Sequence, residues 1–211
     1  MDDFLKITSV NLIKRTQKCR ITFDNEEMYN FSVDLVVKFN LVRGADINPV
    51  QLELITKEQR LIDAKQAGYN FASYKPRTEQ QIRNKLSEKD FTDSEINTAL
   101  NFLANFNLVD DEKYAKLFVK DYLKRKPAGA KKLQLELYKR GINKQTALSA
   151  IEEQLDSLDL ESLAIKAGEK KMSLLHNKSD DKKKKALTDY LFRQCFDWEI
   201  IKSVLKHLGI H

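Results

Sequence analysis

With 211 residues, 42% apolar and 32% charged, the chain has the balance of a globular protein large enough to bury a substantial core. It lacks the run of about 18 apolar residues that would span a bilayer, and its start has no basic, apolar and small-residue leader, which predicts a cytoplasmic protein. A net charge of +6 and a pI near 9.1 admit nucleic acid as a partner without requiring it. Six Gly and three Pro argue against long loops and against a sandwich or barrel. Cys19 and Cys195 stand far apart without a CxxC and read as two reduced, mostly buried thiols.

Residues 1–48 read as a small N-terminal domain. Ile7, Val10, Leu12, Cys19, Ile21, Phe23, Tyr29, Phe31 and Val33 form short alternating runs, and Asp24-Asn25-Glu26-Glu27 reads as a hairpin loop. Two or three antiparallel strands are expected. So small a sheet is marginal alone and needs a helix to pack on, for which Asp34 to Phe39 is the candidate. After Gly44 a connector ends at Asn48-Pro49, where Asn caps a helix and Pro takes its first position.

From Val50 to about Tyr74 the chain reads as helical, although Gly68 argues against one unbroken helix. Beyond it a pattern repeats. Ile82, Leu86, Phe91, Ile96 and Leu100 stand at offsets 0, 4, 9, 14 and 18, and so do Leu133, Leu137, Ile142, Ala147 and Ile151, then Leu187, Leu191, Phe196, Ile201 and Leu205. The anchors Leu86, Leu137 and Leu191 are 51 and then 54 residues apart, a period near that of helical arrays. Offsets 0 and 4 lie on one face of a helix, 14 and 18 on one face of the next, and a tight turn separates them. Ala64 to Tyr74, Asp111 to Lys124 and Glu161 to Leu175 would lead each unit. The fold class is therefore mainly α, a tandem array of three three-helix, helix-turn-helix-like repeats at 49–109, 110–157 and 158–211 behind a small α+β domain.

The turns carry their own signals. Thr78 with Gln81, and Thr92 with Glu95, read as capping boxes. Gly141 sits where a left-handed C-terminal cap belongs, and Gly129 opens a helix. Asp90 and Cys195 occupy the place of Gly141 in the other copies. Cysteine is poorly suited to left-handed backbone, which predicts a differently built third turn.

Charge is uneven. Lys113 to Arg140 carries ten basic residues against Asp121 and Glu136, a net +8, whereas residues 152–161 carry −5. Lys124, Arg125, Lys126, Lys131, Lys132, Lys139 and Arg140 in the second repeat, with Lys131, Lys132, Lys139 and Arg140 on its second helix, are candidate partner-facing residues. Lys182, Lys183, Lys184 and Lys185, after the loop-like Asn177-Lys178-Ser179-Asp180-Asp181, form a second basic group. A solvated face is the default reading of such runs, and a helix-turn-helix unit meeting phosphates is the functional one. Tyr114, Phe118, Tyr122, Phe192, Phe196 and Trp198 do not interleave with the lysines and read as core. His176, His207 and His211 lack metal spacing, no phosphate-cradling glycine motif occurs, and Asp110-Asp111 reads as a helix N-cap with first-turn acid rather than a metal site. No catalytic residue, metal or cofactor is assigned.

Arg77-Thr78-Glu79 with Ile82-Arg83 and Leu86, Asp110-Asp111-Glu112-Lys113-Tyr114-Ala115 with Phe118, Gly129 with Leu133, and Glu136-Leu137 with Gly141-Ile142 resemble the RecX family of RecA regulators. Phe31-Ser32-Val33 and Lys38-Phe39-Asn40-Leu41 resemble its longer form, which carries an extra small domain. The likeness spans nearly the whole chain and weakens after about Glu161, where Cys195 replaces the usual glycine. It implies an elongated, curved, monomeric array that binds RecA, chiefly as its nucleoprotein filament, and binds single- or double-stranded DNA weakly and without sequence preference. It implies inhibition of ATPase, strand exchange and coprotease activity, by blocking filament growth or promoting disassembly, with no catalysis by this chain. Two rival readings are a helix-turn-helix DNA-binding regulator acting without RecA, and a metal-dependent nuclease using Asp110 and Asp111.

Overall fold

The computed structural model describes residues 4–156, 159–177 and 179–210, so Lys178 and His211 of the sequence reading lie outside the described residues. It divides into two compact units, Met1–Phe71 with Lys85–Phe106, and Ala72–Asn84 with Asn107–His211.

The N-terminal strands β1 (Leu5–Ile13), β2 (Lys18–Phe23), β3 (Met28–Ser32) and β4 (Asp46–Ile47) form an antiparallel sheet in the order β3-β2-β1-β4. The fourth strand exceeds the two or three expected, because a two-residue strand has no alternation to reveal it. Cys19, Ile21 and Phe23 alternate onto the buried face of β2 and join Ile7, Phe31, Leu35, Leu41 and Ile47 in one core. Helix α1 (Val33–Lys38) is capped by Ser32, whose hydroxyl accepts the Leu35 N–H. Helix α2 (Pro49–Ser73) supplies Leu52 and Ile55 to that core. Asn48 Oδ1 accepts the Gln51 N–H at 2.7 Å, which starts α2 at Pro49.

Contrary to the expectation at Gly68, α2 runs unbroken. A Cβ there would stand 2.9 Å from Leu103 Cδ1, the end of a flexible side chain, so glycine spares that leucine a shift. Arg60 of α2 pairs with Glu95 through two nitrogens, at 2.6 and 2.9 Å, and donates to the Asp90 carbonyl at 2.8 Å. Its hydrogen bond holds the Glu95 carboxyl below the usual range, against the opposing effect of burial.

Eight further helices are described: α3 (Glu79–Ser87), α4 (Asp93–Asn105), α5 (Asp111–Arg125), α6 (Ala130–Tyr138), α7 (Lys144–Leu155), α8 (Leu160–Met172), α9 (Asp180–Arg193) and α10 (Trp198–His207). Of the fifteen seam residues named from the sequence, all but half-buried Phe91 are buried. In the second repeat Leu133, Leu137, Ile142, Ala147 and Ile151 close on Ala115 and Val119 of α5. In the third, Leu187, Leu191, Phe196, Ile201 and Leu205 close on Ala164 and Ala167 of α8. The capping box of Thr92 and Glu95 forms, and Thr78 Oγ accepts the Gln81 N–H at 3.2 Å.

All three turns are built alike. Asp90, Gly141 and Cys195 have φ of 59°, 82° and 58°. Each is followed by a bond from the residue at offset 9 to the carbonyl at offset 4: Phe91 to Leu86 at 3.4 Å, Ile142 to Leu137 at 3.2 Å, and Phe196 to Leu191 at 3.3 Å. The expectation of a different third turn is therefore wrong. The hydrogen bonds that close the helix outweigh the steric cost of a left-handed cysteine, about 1–2 kcal/mol.

What docks on the turns was not foreseen. Thr78 Oγ donates to the Arg140 carbonyl at 2.7 Å, beside Gly141, and a Cβ on Gly141 would come 2.2 Å from Gln80 Cβ. Fifty-one residues on, the Gly129 N–H donates to the Gln194 carbonyl at 2.9 Å, beside Cys195. A Cβ on Gly129 would come 2.0 Å from the Cys195 oxygen. The residue that opens the second helix of one repeat thus seats on the turn of the next, twice.

Substitutions on the two sides of the second junction should have opposite signs. Gly129→Ala drives a methyl into backbone and is expected to cost about 1–3 kcal/mol in urea unfolding. Cys195→Gly relieves the left-handed strain and loses part of that gain to the more flexible unfolded chain, leaving a net stabilisation below about 1 kcal/mol. A destabilising Cys195→Gly would show that its side chain, not its backbone, matters at the turn.

Candidate anion-binding surface

The basic residues of the second repeat sort into two kinds. Lys132, Lys139 and Arg140 converge on one carboxylate, with nitrogens 3.8, 3.0 and 3.2 Å from Glu136. The spacing explains this, since Lys132, Lys139 and Arg140 stand four before, three after and four after Glu136. The hydrogen bond from Lys139 holds the Glu136 carboxyl below its ordinary range, burial opposes this, and Arg140 adds to it. The Arg140 guanidinium lies 4.3 Å from the centre of the Phe118 ring, while its backbone carbonyl receives Thr78. Lys139 and Arg140 belong to the turn, because α6 ends at Tyr138 and Lys139 caps it.

Lys124, Lys126 and Lys131 are exposed, and their side chains hold no hydrogen bond or ion pair among the described residues. Arg125 is exposed and folds back onto the Asp121 carbonyl at 3.1 Å. Lys124, Arg125 and Lys126 end α5, and Lys131 stands two residues past Gly129, so these cations flank the junction on the third repeat. Lys124, Lys126 and Lys131 form the unpaired part of the surface among the described residues, and the Glu136 cluster forms the paired part.

The second basic group is separate. Lys182, Lys183, Lys184 and Lys185 occupy the first turns of α9, whereas Gln194, which meets Gly129, follows its other end, roughly 15 Å away at the helical rise. Lys183 pairs with Asp180 at 2.9 Å, and Lys182, Lys184 and Lys185 are exposed.

Asp110 and Asp111 serve two different helices. Asp110 Oδ1 caps α5 through the Lys113 N–H at 2.8 Å, and Asp111 Oδ1 accepts the Glu79 N–H of α3 at 2.9 Å. Burial pushes the Asp111 carboxyl up, and the Glu79 amide opposes it. Among the described residues no three His, Cys, Asp or Glu side chains are grouped to hold a metal. His207 faces Glu169 at 3.7 Å, and His176 Nδ1 lies 3.1 Å from the Ser173 carbonyl. Cys19 and Cys195 are free thiols, buried and half-buried. No described helix is long and apolar enough to cross a membrane.

Two aromatic assignments need correction. Phe196 is buried and Tyr114, Phe118 and Tyr122 line the second core, but Phe192 is 71% and Trp198 53% exposed. Neither occupies one of the five seam offsets, a signal that could have separated them from Phe196.

Comparisons with known proteins agree on one family. The model of the first RecX three-helix domain matches residues 64–103, and that of the second matches 110–151. The regulatory protein RecX of Clostridium beijerinckii is 30% identical over 207 residues, covering 95% of this chain and 94% of that one. That of Clostridium perfringens is also 30% identical, over 96% of each. A crystal structure of a regulatory protein RecX superposes with a TM-score of 0.74 at 21% identity, over 96% of this chain and 99% of that one. The structure of RecX from Lactobacillus salivarius has a TM-score of 0.63 at 24% identity, over 72% and 98%.

The Glu136 cluster sets a pH dependence. A carboxyl whose folded pKa is depressed contributes stability that is present above its unfolded pKa and lost as pH falls through the folded one. Glu136→Gln should therefore cost about 1 kcal/mol near neutral pH, allowing for the exposure of Lys139, and this deficit should vanish at acid pH. Urea midpoints of both proteins across that range measure it; a deficit independent of pH would assign the loss to packing.

Proposed function

The chain belongs to the RecX family of regulatory proteins, and from that premise we propose that it is a negative regulator of the RecA recombinase, acting on the RecA filament on DNA in the cytoplasm. It inhibits ATP hydrolysis, strand exchange and coprotease activity by blocking filament growth or promoting disassembly, with no bond chemistry of its own. One observation supports this most: the second repeat, net +8 between Lys113 and Arg140, keeps Lys124, Lys126 and Lys131 exposed and without a counter-ion among the described residues. A filament presents phosphates and protein acids at every protomer, and several weak charged contacts on linked repeats add in free energy. The pinned residues Lys132, Lys139 and Arg140 give that surface its shape, and the free lysines give it reach.

The combined variant Lys124→Glu, Lys126→Glu, Lys131→Glu tests the reading without breaking the Glu136 cluster. Added to RecA on single-stranded DNA, it should inhibit ATP hydrolysis at least about tenfold more weakly than the parent, with filament binding that depends less on salt. Unchanged inhibition and salt slope would move the contact elsewhere. Tight, sequence-dependent duplex binding without RecA would instead favour a helix-turn-helix DNA-binding regulator.

A further inference from the structure

The third repeat places an exposed indole among unpaired lysines. Trp198 opens α10, and its side chain lines a hollow of about 320 Å³ with Asp181, Lys184, Lys185, Thr188, Asp189 and Leu205. Lys202, one turn along, holds its ammonium 5.9 Å from the centre of the Trp198 ring while pairing with Glu199. Lys184 and Lys185 have no hydrogen bond or ion pair among the described residues. Phe192, 71% exposed, stands seven residues after Lys185 and so continues its face of α9.

Folding does not account for this arrangement. The α9 lysines occupy the positive end of its dipole, where cations are disfavoured, and only Asp180 and Asp181 offset them. The side chain of Trp198 is not needed to fill the seam, which Leu187, Leu191, Phe196, Ile201, Val204 and Leu205 already close. A π-face next to exposed ammonium groups is the chemistry that receives an unpaired base and its flanking phosphates.

We propose that this hollow is a subsite for single-stranded nucleic acid, in which a base stacks on Trp198 and the adjoining phosphates are met by Lys184, Lys185 and Lys202. Duplex is excluded because its bases are already stacked. Asp181 and Asp189 also line the hollow and repel phosphate and carboxylate alike, so what favours nucleic acid over an acidic protein segment is the exposed indole, on which a base can stack and a carboxylate cannot. The site acts without RecA, so it stands or falls separately from the regulatory reading.

Trp198 is the only tryptophan of the chain, which makes it a reporter. Titrating the whole protein, with no RecA present, with a twenty-nucleotide oligothymidine should quench its fluorescence, with a slope of log affinity on log salt near −2 for three phosphates. A blunt duplex and polyglutamate of matched charge should quench far less. Lys184→Glu with Lys185→Glu retains the reporter and should weaken binding about tenfold or more. In anisotropy with a labelled oligonucleotide, Trp198→Ala should lose a similar factor and Trp198→Phe should recover part of it. Quenching of equal strength by polyglutamate or duplex, or by oligothymidine on the lysine variant, would overturn the assignment.

Discussion

The structure depends on how a helix-ending turn gets its carbonyl satisfied. In each repeat the residue at offset 8 turns left-handed, which leaves the carbonyl of that residue or of the one before it without a helical partner. Such a carbonyl costs up to about 1–3 kcal/mol where it is buried, and less at exposed Asp90 than at half-buried Arg140 and Gln194. Three donors meet the need: the Arg60 guanidinium at Asp90, the Thr78 hydroxyl at Arg140 and the Gly129 amide at Gln194. The last two belong to the repeat before, so satisfying the turn also joins two repeats.

The two junctions solve one geometric problem from opposite sides. Where backbones approach this closely, one side must lack a Cβ. Beside Thr78 the missing Cβ is on the turn, at Gly141, which makes room for Gln80; beside Cys195 it is on the donor, at Gly129. A hydroxyl reaches beyond its own backbone and tolerates a side chain at the donor, but an amide must bring its main chain with it. The glycine requirement therefore belongs to the junction, not to offset 8. That is why the sequence, compared copy by copy at Gly141, suggested a deviant third turn at Cys195 where there is none.

The seams were legible because burial at offsets 0, 4, 14 and 18 imposes one residue class at fixed spacing, whatever the neighbouring repeat does. The junctions were not, because threonine and glycine at equivalent positions share geometry and no chemistry. On the candidate surface, composition gave the sign of the charge but not which charges are free. The i±3 and i±4 spacing around Glu136 held that information, and only Arg140 needed coordinates, since its place over Phe118 joins residues 22 apart in sequence. The two-residue strand β4 left no periodic trace, whereas the exposure of Trp198 was legible in its place off the five seam offsets.

Arg140 connects the junction to the basic surface. Its carbonyl is the acceptor that seats Thr78, its guanidinium rests on Phe118 of α5, and its charge completes the Glu136 cluster. Lys132 and Lys139 are placed on Glu136 by helical spacing alone, whereas Arg140 is also tied to the junction through its carbonyl. If Thr78 leaves the turn, the Arg140 backbone loses that partner, while the two lysines keep theirs. Number and sign of charge set the attraction of this surface, and Arg140 is the cation whose direction the junction helps to set.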